Sequence, residues 1–319
     1  MGIRLRSRLL GLALCVAGTV ACAQASLPPA RVIIVSSDPS PAYAQAAEAL
    51  TDSLAQHGIA RADIAQSFAS ELALRLQSDQ SPRPSIFVAL GSEATQVLVA
   101  GNVQTPVLSA LLPRRSFERI LHGSGKAISA RLSAIQLDQP LARQLSLIRL
   151  ALPQARHLGV LAGPESSAKA FELGFLLASS YLKLQEGVVT QADDLSSALP
   201  RVLDYSDVLL ALADPLVFNS STIQNILLAS FRAHIPMVAF SAAYVRAGAL
   251  LAVYTTPEQV GTQAAEVALS VLRGNPLPDH VIEPNDFEVG VNTYVARALG
   301  LSPDAPSLRM ALRRLEHLP

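Results

Sequence analysis

Tryptophan is absent from this chain of 319 residues, cysteine occurs twice, aromatic residues make up 5% and charged residues only 16%. Each shortage excludes something. Cys15 and Cys22 alone can build neither a disulfide framework nor a cysteine-rich zinc site. Lys plus Arg and Asp plus Glu stand at 25 each, so the basic excess with which proteins grip nucleic acid is missing. Sparse charge does not mean disorder here, because half of the residues are hydrophobic and can fill sizeable cores. At about 150 residues per domain, the length suits two domains. The six histidines, at 57, 122, 157, 234, 280 and 317, never fall at i,i+4 or beside a cysteine pair, so neither a metal site nor a cofactor is expected.

Both cysteines lie in an N-terminal segment that reads as a cleaved secretory signal over residues 1–23. Arg4, Arg6 and Arg8 form its basic start, residues 9–21 its apolar stretch, and Ala21-Cys22-Ala23 and Ala23-Gln24-Ala25 offer small-residue cleavage sites. The apolar stretch is shorter than the roughly 20 residues that span a bilayer. Thr19-Val20-Ala21-Cys22 also resembles a lipoprotein box, with Thr19 in place of the usual Leu, which leaves a lipid anchor on Cys22 as the alternative. Loss of the segment leaves 22 basic and 25 acidic residues and no thiol. Such an exported protein draws its stability from core burial rather than crosslinks.

Beyond the leader, short apolar runs alternate with amphipathic stretches. Strands are expected at residues 31–35, 85–90, 106–110, 127–135, 157–162, 187–191, 207–211, 236–240, 249–254 and 287–291. Unbroken apolar runs suit strands covered on both faces, hence mainly parallel sheets. Among the helices, Leu141, Leu145, Ile148 and Leu152 repeat at helical spacing between Pro140 and Pro153. Thr256-Pro257-Glu258-Gln259 is a capping box ahead of Val260, Ala264, Val267 and Val271. The order of elements also repeats: Ser85-Ile-Phe-Val-Ala-Leu-Gly-Ser, a helix and Pro106-Val-Leu-Ser-Ala parallel Asp207-Val-Leu-Leu-Ala-Leu-Ala-Asp, a helix and Pro236-Met-Val-Ala-Phe. Two α/β lobes facing each other would enclose a cleft at the carboxyl ends of their strands.

Catalytic patterns fail on spacing. Gly123-Ser124-Gly125-Lys126 lacks the first glycine and the final Ser or Thr of a phosphate loop, with Ile120 and Ala127 in those places. Ser166 to Lys169 and Ser180 to Lys183 both satisfy S-x-x-K within one expected helix, but no K-T-G follows. No enzymatic activity is expected.

The residues Pro236-Met-Val-Ala-Phe-Ser-Ala-Ala-Tyr-Val-Arg-Ala-Gly-Ala-Leu, Thr256-Pro-Glu-Gln-Val-Gly-Thr-Gln-Ala-Ala-Glu, Leu272-Arg-Gly-Asn-Pro and Asn292-Thr-Tyr-Val-Ala-Arg-Ala-Leu-Gly-Leu carry a resemblance. They are similar to ABC-transporter substrate-binding proteins of the branch whose characterised relatives bind aromatic amino acids. The match is most specific over 207–301, and the first 110 residues match mainly in layout. The resemblance implies a type I periplasmic-binding fold: two Rossmann-like lobes with mainly parallel sheets, joined by a multi-strand hinge. On that pattern lobe 1 is 31–135 plus 256–286 and lobe 2 is 136–255 plus 287–319. It also implies a small organic ligand, amino-acid-like or carboxylate-bearing, and an inner-membrane ABC permease with its ATPase as partner. A monomer is expected. A sensory protein read by a membrane sensor is one alternative, and an exported α/β enzyme with an unrecognised site is another.

Candidate ligand-binding residues sit on loops after strands: Ser36, Ser37, Ser92, Glu93 and Arg114 in lobe 1, and Glu165, Ser166, Asp214, Asn219, Ser241 and Tyr244 in lobe 2. Helix N-termini opening at Ser92, Ser166 and Ser220 suit a carboxylate, although each Ser also serves as a plain cap. Arg114, with Arg115, can clamp an anion bidentately. Asp214 matches a family position and suits a ligand ammonium, or is merely a turn acid before Pro215; Ser241 fits the family loop after the Pro236 strand. Replacing Asp214 or Ser241 by Ala is expected to weaken binding without unfolding the protein. The family's usual Asp-Pro loop in lobe 1 has no counterpart, since Leu112-Pro113-Arg114-Arg115 and His122-Gly123-Ser124-Gly125 stand there instead.

Overall fold

The computed structural model describes residues 31–78, 83–178 and 180–316. The expected leader, with Cys15 and Cys22, lies outside the described residues.

The apolar runs form two sheets. The first contains β1 (Val32–Ser36), β2 (Ile64–Phe68), β3 (Ile86–Leu90), β4 (Val107–Leu112) and β5 (Leu132–Gln136), all parallel, in the order β2-β1-β3-β4-β5. The second contains β6 (His157–Ala162), β7 (Lys183–Val188), β8 (Val208–Leu210), β9 (Met237–Ala239), β10 (Leu251–Tyr254) and β11 (Glu288–Val291), in the order β7-β6-β8-β9-β10-β11 when read from that edge. Its strands are parallel except for β11, which pairs antiparallel with β10. The first five strands of each sheet therefore share one winding, which is the internal repeat in three dimensions. The mainly parallel α/β architecture expected from the sequence is present.

Helices cover both faces of each sheet. Ile34, Val88 and Leu108 pack with Leu50 and Leu54 of α1 (Pro41–Gln56) and with Val260, Ala264 and Ala268 of α10 (Pro257–Leu272). On the opposite face, Ile33, Phe87 and Ala89 pack with Leu72 of α2 (Ala69–Gln77), Leu98 of α3 (Ser92–Ala100) and Phe117 of α4 (Arg114–Ser124). In the second sheet, Leu158, Val160 and Leu210 meet Leu145 and Ile148 of α5 (Leu141–Ala151), Leu173 of α6 (Ser167–Leu177), Ala296 of α11 (Thr293–Ala298) and Leu308 and Leu312 of α12 (Ala305–Glu316). Leu161, Leu209 and Ala239 meet Val202 of α7 (Asp194–Asp204), Ile226 of α8 (Ile223–Arg232) and Val245 of α9 (Ala242–Ala247). Strands covered on both sides cannot alternate polar and apolar residues, which is why they read as continuous runs.

α10 leaves the second sheet after β10 and packs against the first, with the capping box expected from Thr256 and Gln259 in place. Gly261 permits the close approach, since a Cβ there would lie 2.3 Å from the Ala46 carbonyl oxygen of α1. The chain then returns, with Ile282 bridging Ile135 of the first sheet before Phe287 enters the second core. Three segments thus pass between the sheets, at residues 137–140, 255–256 and 283–286.

Several local expectations need correction. β2 has no counterpart among the expected strands, because Ile-Ala-Gln-Ser-Phe at a sheet edge is only half covered and lacks a continuous apolar run. β7 begins at Lys183 rather than 187, so Ser180 to Lys183 does not belong to α6, which ends at Leu177; this too is an edge strand with exposed residues. β5 starts at Leu132, and the residues before it form no strand, with a turn at 130–131 closed by the Ser129–Leu132 bridge. Among the described residues no helix is long and apolar enough to cross a membrane.

Candidate functional site

A cavity of about 310 Å³ opens between the two sheets at the carboxyl ends of their strands. Pro113 after β4 and Leu137, Asp138 and Gln139 after β5 close it from one side; Ala211, Leu212 and Ala213 after β8, Phe240 and Ser241 after β9, and Tyr254 and Thr255 at the end of β10 close it from the other. Gln144 of α5 and Lys169 of α6 complete the lining. Both sides contribute apolar surface, Pro113 and Leu137 from the first sheet and Leu212 and Phe240 from the second, and three of the polar groups, Asp138, Gln139 and Thr255, sit on segments that pass between the sheets.

Those polar groups are held by each other. Gln139 donates from Nε2 to Thr255 Oγ1 at 2.6 Å and accepts at Oε1 from Arg143 Nη1 at 2.7 Å, while its carbonyl accepts from Gln144 Nε2 at 2.9 Å. Asp138 pairs with Lys169 of α6 and accepts the Arg114 N–H at 2.6 Å, so one carboxylate ties a crossing segment to both sides. Tyr254 contributes a neutral phenol, whose pKa is pushed up by burial and then by the Glu288 carboxylate. Phe240, Tyr244 and Phe218 form an aromatic cluster behind the β9 loop, with the Phe240 and Tyr244 rings 4.7 Å apart.

The residues singled out in the sequence are placed unevenly. Ser241 lines the cavity and caps α9, accepting the Tyr244 N–H. Tyr244 stands one layer back, its hydroxyl donating to the Phe218 carbonyl at 3.3 Å. Asp214 is 2% exposed and spends its carboxylate on the backbone: Oδ2 accepts from the N–H groups of Glu165 and Ser166 and from the Ser166 hydroxyl, and Oδ1 from the Leu216 N–H. Asp214 and Ser166 thereby lock the loop after β6 to the loop after β8, outside the cavity lining. Asn219 likewise turns on itself, its Oδ1 accepting from the Ser221 and Thr222 N–H groups ahead of α8.

On the first sheet, Ser36 ends β1, and Ser37 donates to the Leu90 carbonyl and accepts the Ala94 N–H inside α3. Ser92 lines a separate groove of about 730 Å³ between α3 and α4, and Glu93 is exposed in the first turn of α3. Arg114 pairs with Glu118 and lines a second cavity of about 280 Å³ on the far side of Asp138 and Lys169. Arg115 donates to the Glu165 carbonyl at 3.2 Å and Arg119 pairs with the Glu165 carboxylate at 3.1 Å, so α4 reaches the loop after β6.

Sequence reasoning missed Asp138, Gln139, Gln144, Lys169 and Thr255. The available signal was positional: each lies just past the end of β5 or β10, or on the helix that follows β5 or β6, close to the junction of the sheets. What the constellation offers chemically is recognition. Donors and acceptors stand among apolar side chains in a site closed from two sides, which suits a small ligand with one polar end. Among the described residues no group of three His, Cys, Asp or Glu could hold a metal ion.

No curated protein matches the chain. Among solved structures, the ligand-free, open structure of a substrate binding protein with adhesive properties from Clostridium difficile is similar with a TM-score of 0.69 at 18% identity, over 86% of this chain and 96% of that one. The ABC domain in complex with L-Trp from Streptococcus pneumonia gives a TM-score of 0.60 at 16% identity, over 88% and 98%. A conserved domain protein from Vibrio cholerae gives 0.59 at 21% identity, over 88% and 98%. These likenesses establish the fold, that of type I periplasmic binding proteins. The sequence model of the family described as ABC transporter substrate binding protein matches residues 31–304, which spans both sheets and every residue of the cavity, and the chain belongs to that family.

Proposed function

We propose that this chain is the exported, periplasmic solute-binding component of an ABC-type uptake system, and that its ligand is a small organic molecule with a carboxylate-bearing or amino-acid-like head. Residues 31–135 plus 256–286 form lobe 1 and residues 136–255 plus 287–319 form lobe 2, with the three crossing segments as the hinge. The observation that carries the reading is the cavity of about 310 Å³ lined from both sheets, with Asp138, Gln139 and Thr255 of two crossings in its wall. Its size, near the lower end of ordinary ligand sites, suits a single small molecule.

In this reading the ligand body lies against Leu212 and Phe240, and its head meets Asp138, Lys169, Gln139 and Thr255. Asp138 and Lys169 already pair with each other, so a head that carries both charges joins that pair, its carboxylate beside the Lys169 ammonium and its ammonium beside the Asp138 carboxylate. Ser241 and Tyr254 add a hydroxyl each from lobe 2. A ligand that touches both lobes stabilises the closed form over the open one, and one that touches a single lobe shifts nothing. The permease then recognises the closed form. The bound L-Trp in the pneumococcal relative is consistent with an amino-acid-like ligand, though that structure shares only 16% identity with this chain.

A thermal-shift screen of the purified protein against amino acids, aromatic acids, nucleosides and other small organic acids tests the proposal. A ligand at 100 times its dissociation constant stabilises the folded state by about 2.7 kcal/mol, a measurable rise in melting point. A hit recovered unconverted supports solute binding. A hit that is consumed overturns it in favour of an enzyme, and a flat screen counts against the ligand class.

A further inference from the structure

The last helix, α12 (Ala305–Glu316), follows the stretch matched by the family, which ends at residue 304. Its apolar side, Leu308 and Leu312, enters the second core. Its charged side does something more specific. Arg309 pairs with Glu288 at 2.7 Å and lies 3.7 Å from Asp286; Arg313 pairs with Asp286; and Glu316 pairs with Arg143 of α5.

Arg143 is the inner end of this arrangement. Its side chain is 7% exposed, its guanidinium lies 4.4 Å from the centre of the buried Phe287 ring, and its Nη1 donates to both Gln139 Oε1 at 2.7 Å and the Pro284 carbonyl at 3.1 Å. Gln139 in turn donates to Thr255, and the Thr255 hydroxyl donates to the Asp286 carbonyl at 3.0 Å. The bonds close a ring that runs Glu316, Arg143, Gln139, Thr255, Asp286, Arg313 and back through α12. One residue of each crossing segment is a member: Gln139, Thr255 and Asp286. Glu288 extends the ring toward α10, accepting from Gln259 Nε2 at 3.1 Å.

We infer that α12 is a brace on the hinge, and that Arg143 and Glu316 are positioning residues that hold Gln139 in the cavity wall and fix the three crossings relative to one another. The inference rests on reading the crossings as a hinge. Arg143 supplies the specificity of the arrangement: a planar guanidinium meets a carboxylate, an amide and a carbonyl at once, which a Lys ammonium on a flexible stem does not reproduce. With Glu316 neutralised, the buried guanidinium loses the one acid that pairs with it among the described residues, and the constraint on Gln139 and Pro284 loosens while the hydrophobic docking of Leu308 and Leu312 persists.

The test is the distribution of distances between the lobes, measured by pulsed electron paramagnetic resonance on spin-labelled cysteines introduced at the exposed Glu48 and Glu186, in a chain with Cys15→Ser and Cys22→Ser. The braced chain is expected to give one narrow distribution. Glu316→Gln and, separately, Arg313→Gln are expected to broaden it, raising the minor population about tenfold, with helical circular dichroism and the labelled lobes intact. Arg143→Lys is expected to broaden it as well. A width unchanged in all three folded variants overturns the brace, as does a broad distribution in the unaltered chain. Failure of the binding proposal shows separately, as the absence of any ligand-induced shift in the unaltered chain's mean distance.

Discussion

Asp214→Asn separates a carboxylate that binds ligand from one that builds the site. The side chain is nearly the same size, and the site is 2% exposed, so no large cavity or new surface is created. What changes is the hydrogen bonding. The carboxylate now accepts three bonds at Oδ2 and one at Oδ1, all at 2.9 Å. Asn has one acceptor oxygen. In its best orientation the oxygen keeps the three donors from Glu165 and Ser166, and the amide NH2 then faces the Leu216 N–H, donor against donor. Each of the three retained bonds drops from charge-assisted to neutral, a loss of about 1 kcal/mol apiece, and the orphaned N–H costs about 1–3 kcal/mol more. Allowing for relaxation, the loss is about 3–5 kcal/mol, at the upper end for a single substitution. Urea unfolding read by circular dichroism should show it as a lower midpoint with an unchanged slope. A loss below about 1 kcal/mol, with ligand binding abolished, would refute this reasoning and return Asp214 to the role of ammonium acceptor.

Two further outcomes follow from close contacts and charge. Gly261→Ala places a Cβ 2.3 Å from the Ala46 carbonyl oxygen, backbone against backbone, so α10 must move away from α1. The expected cost is about 1–3 kcal/mol in the same unfolding assay, and a neutral result would contradict the helix contact. Hydrogen bonds from the Thr190 hydroxyl, then from the Thr190 and Gln191 N–H groups, hold the Asp194 carboxyl down to about 2. Its folded value lies below the unfolded value of about 3.9, so its stabilising contribution is complete above about pH 4 and is lost as pH falls toward about 2. A carbon-13 carboxyl titration by nuclear magnetic resonance should place its midpoint near 2, and a midpoint near 4 would exclude the hydrogen bonds at this loop.

Much of the architecture was legible because burial on both faces writes itself into sequence as uninterrupted apolar runs. β1, β3 and β8 are of this kind, and their spacing already carried the repeat that the sheets share. The edge strands β2 and β7 were not legible, since half-covered strands with Gln, Ser, Lys and Glu carry no such run. The site divides similarly. Loops after strands could be located, yet residue type alone could not tell a side chain that faces the cavity from one that turns back on its own backbone. Ser37, Ser166, Asp214 and Asn219 are used on N–H and carbonyl groups nearby, while Gln139 and Thr255 reach the cavity only because the chain crosses between the sheets there, and Lys169 of α6 meets Asp138 at the first of those crossings. That crossing is a long-range property, absent from any local pattern. The ring through α12 joins residues more than a hundred positions apart for the same reason.

The central claim is that a small molecule is captured in the cavity between the sheets. Ala213 lines that cavity on the loop after β8, and Ala213→Phe fills the space without touching the Asp214 carboxylate bonds or the ring at the hinge. Titration calorimetry of the best screening hit into the unaltered chain and into a folded Ala213→Phe variant is the most direct measurement. Capture between the sheets gives one site per chain in the first and no detectable binding in the second. Equal affinity in both would place the ligand elsewhere and contradict it.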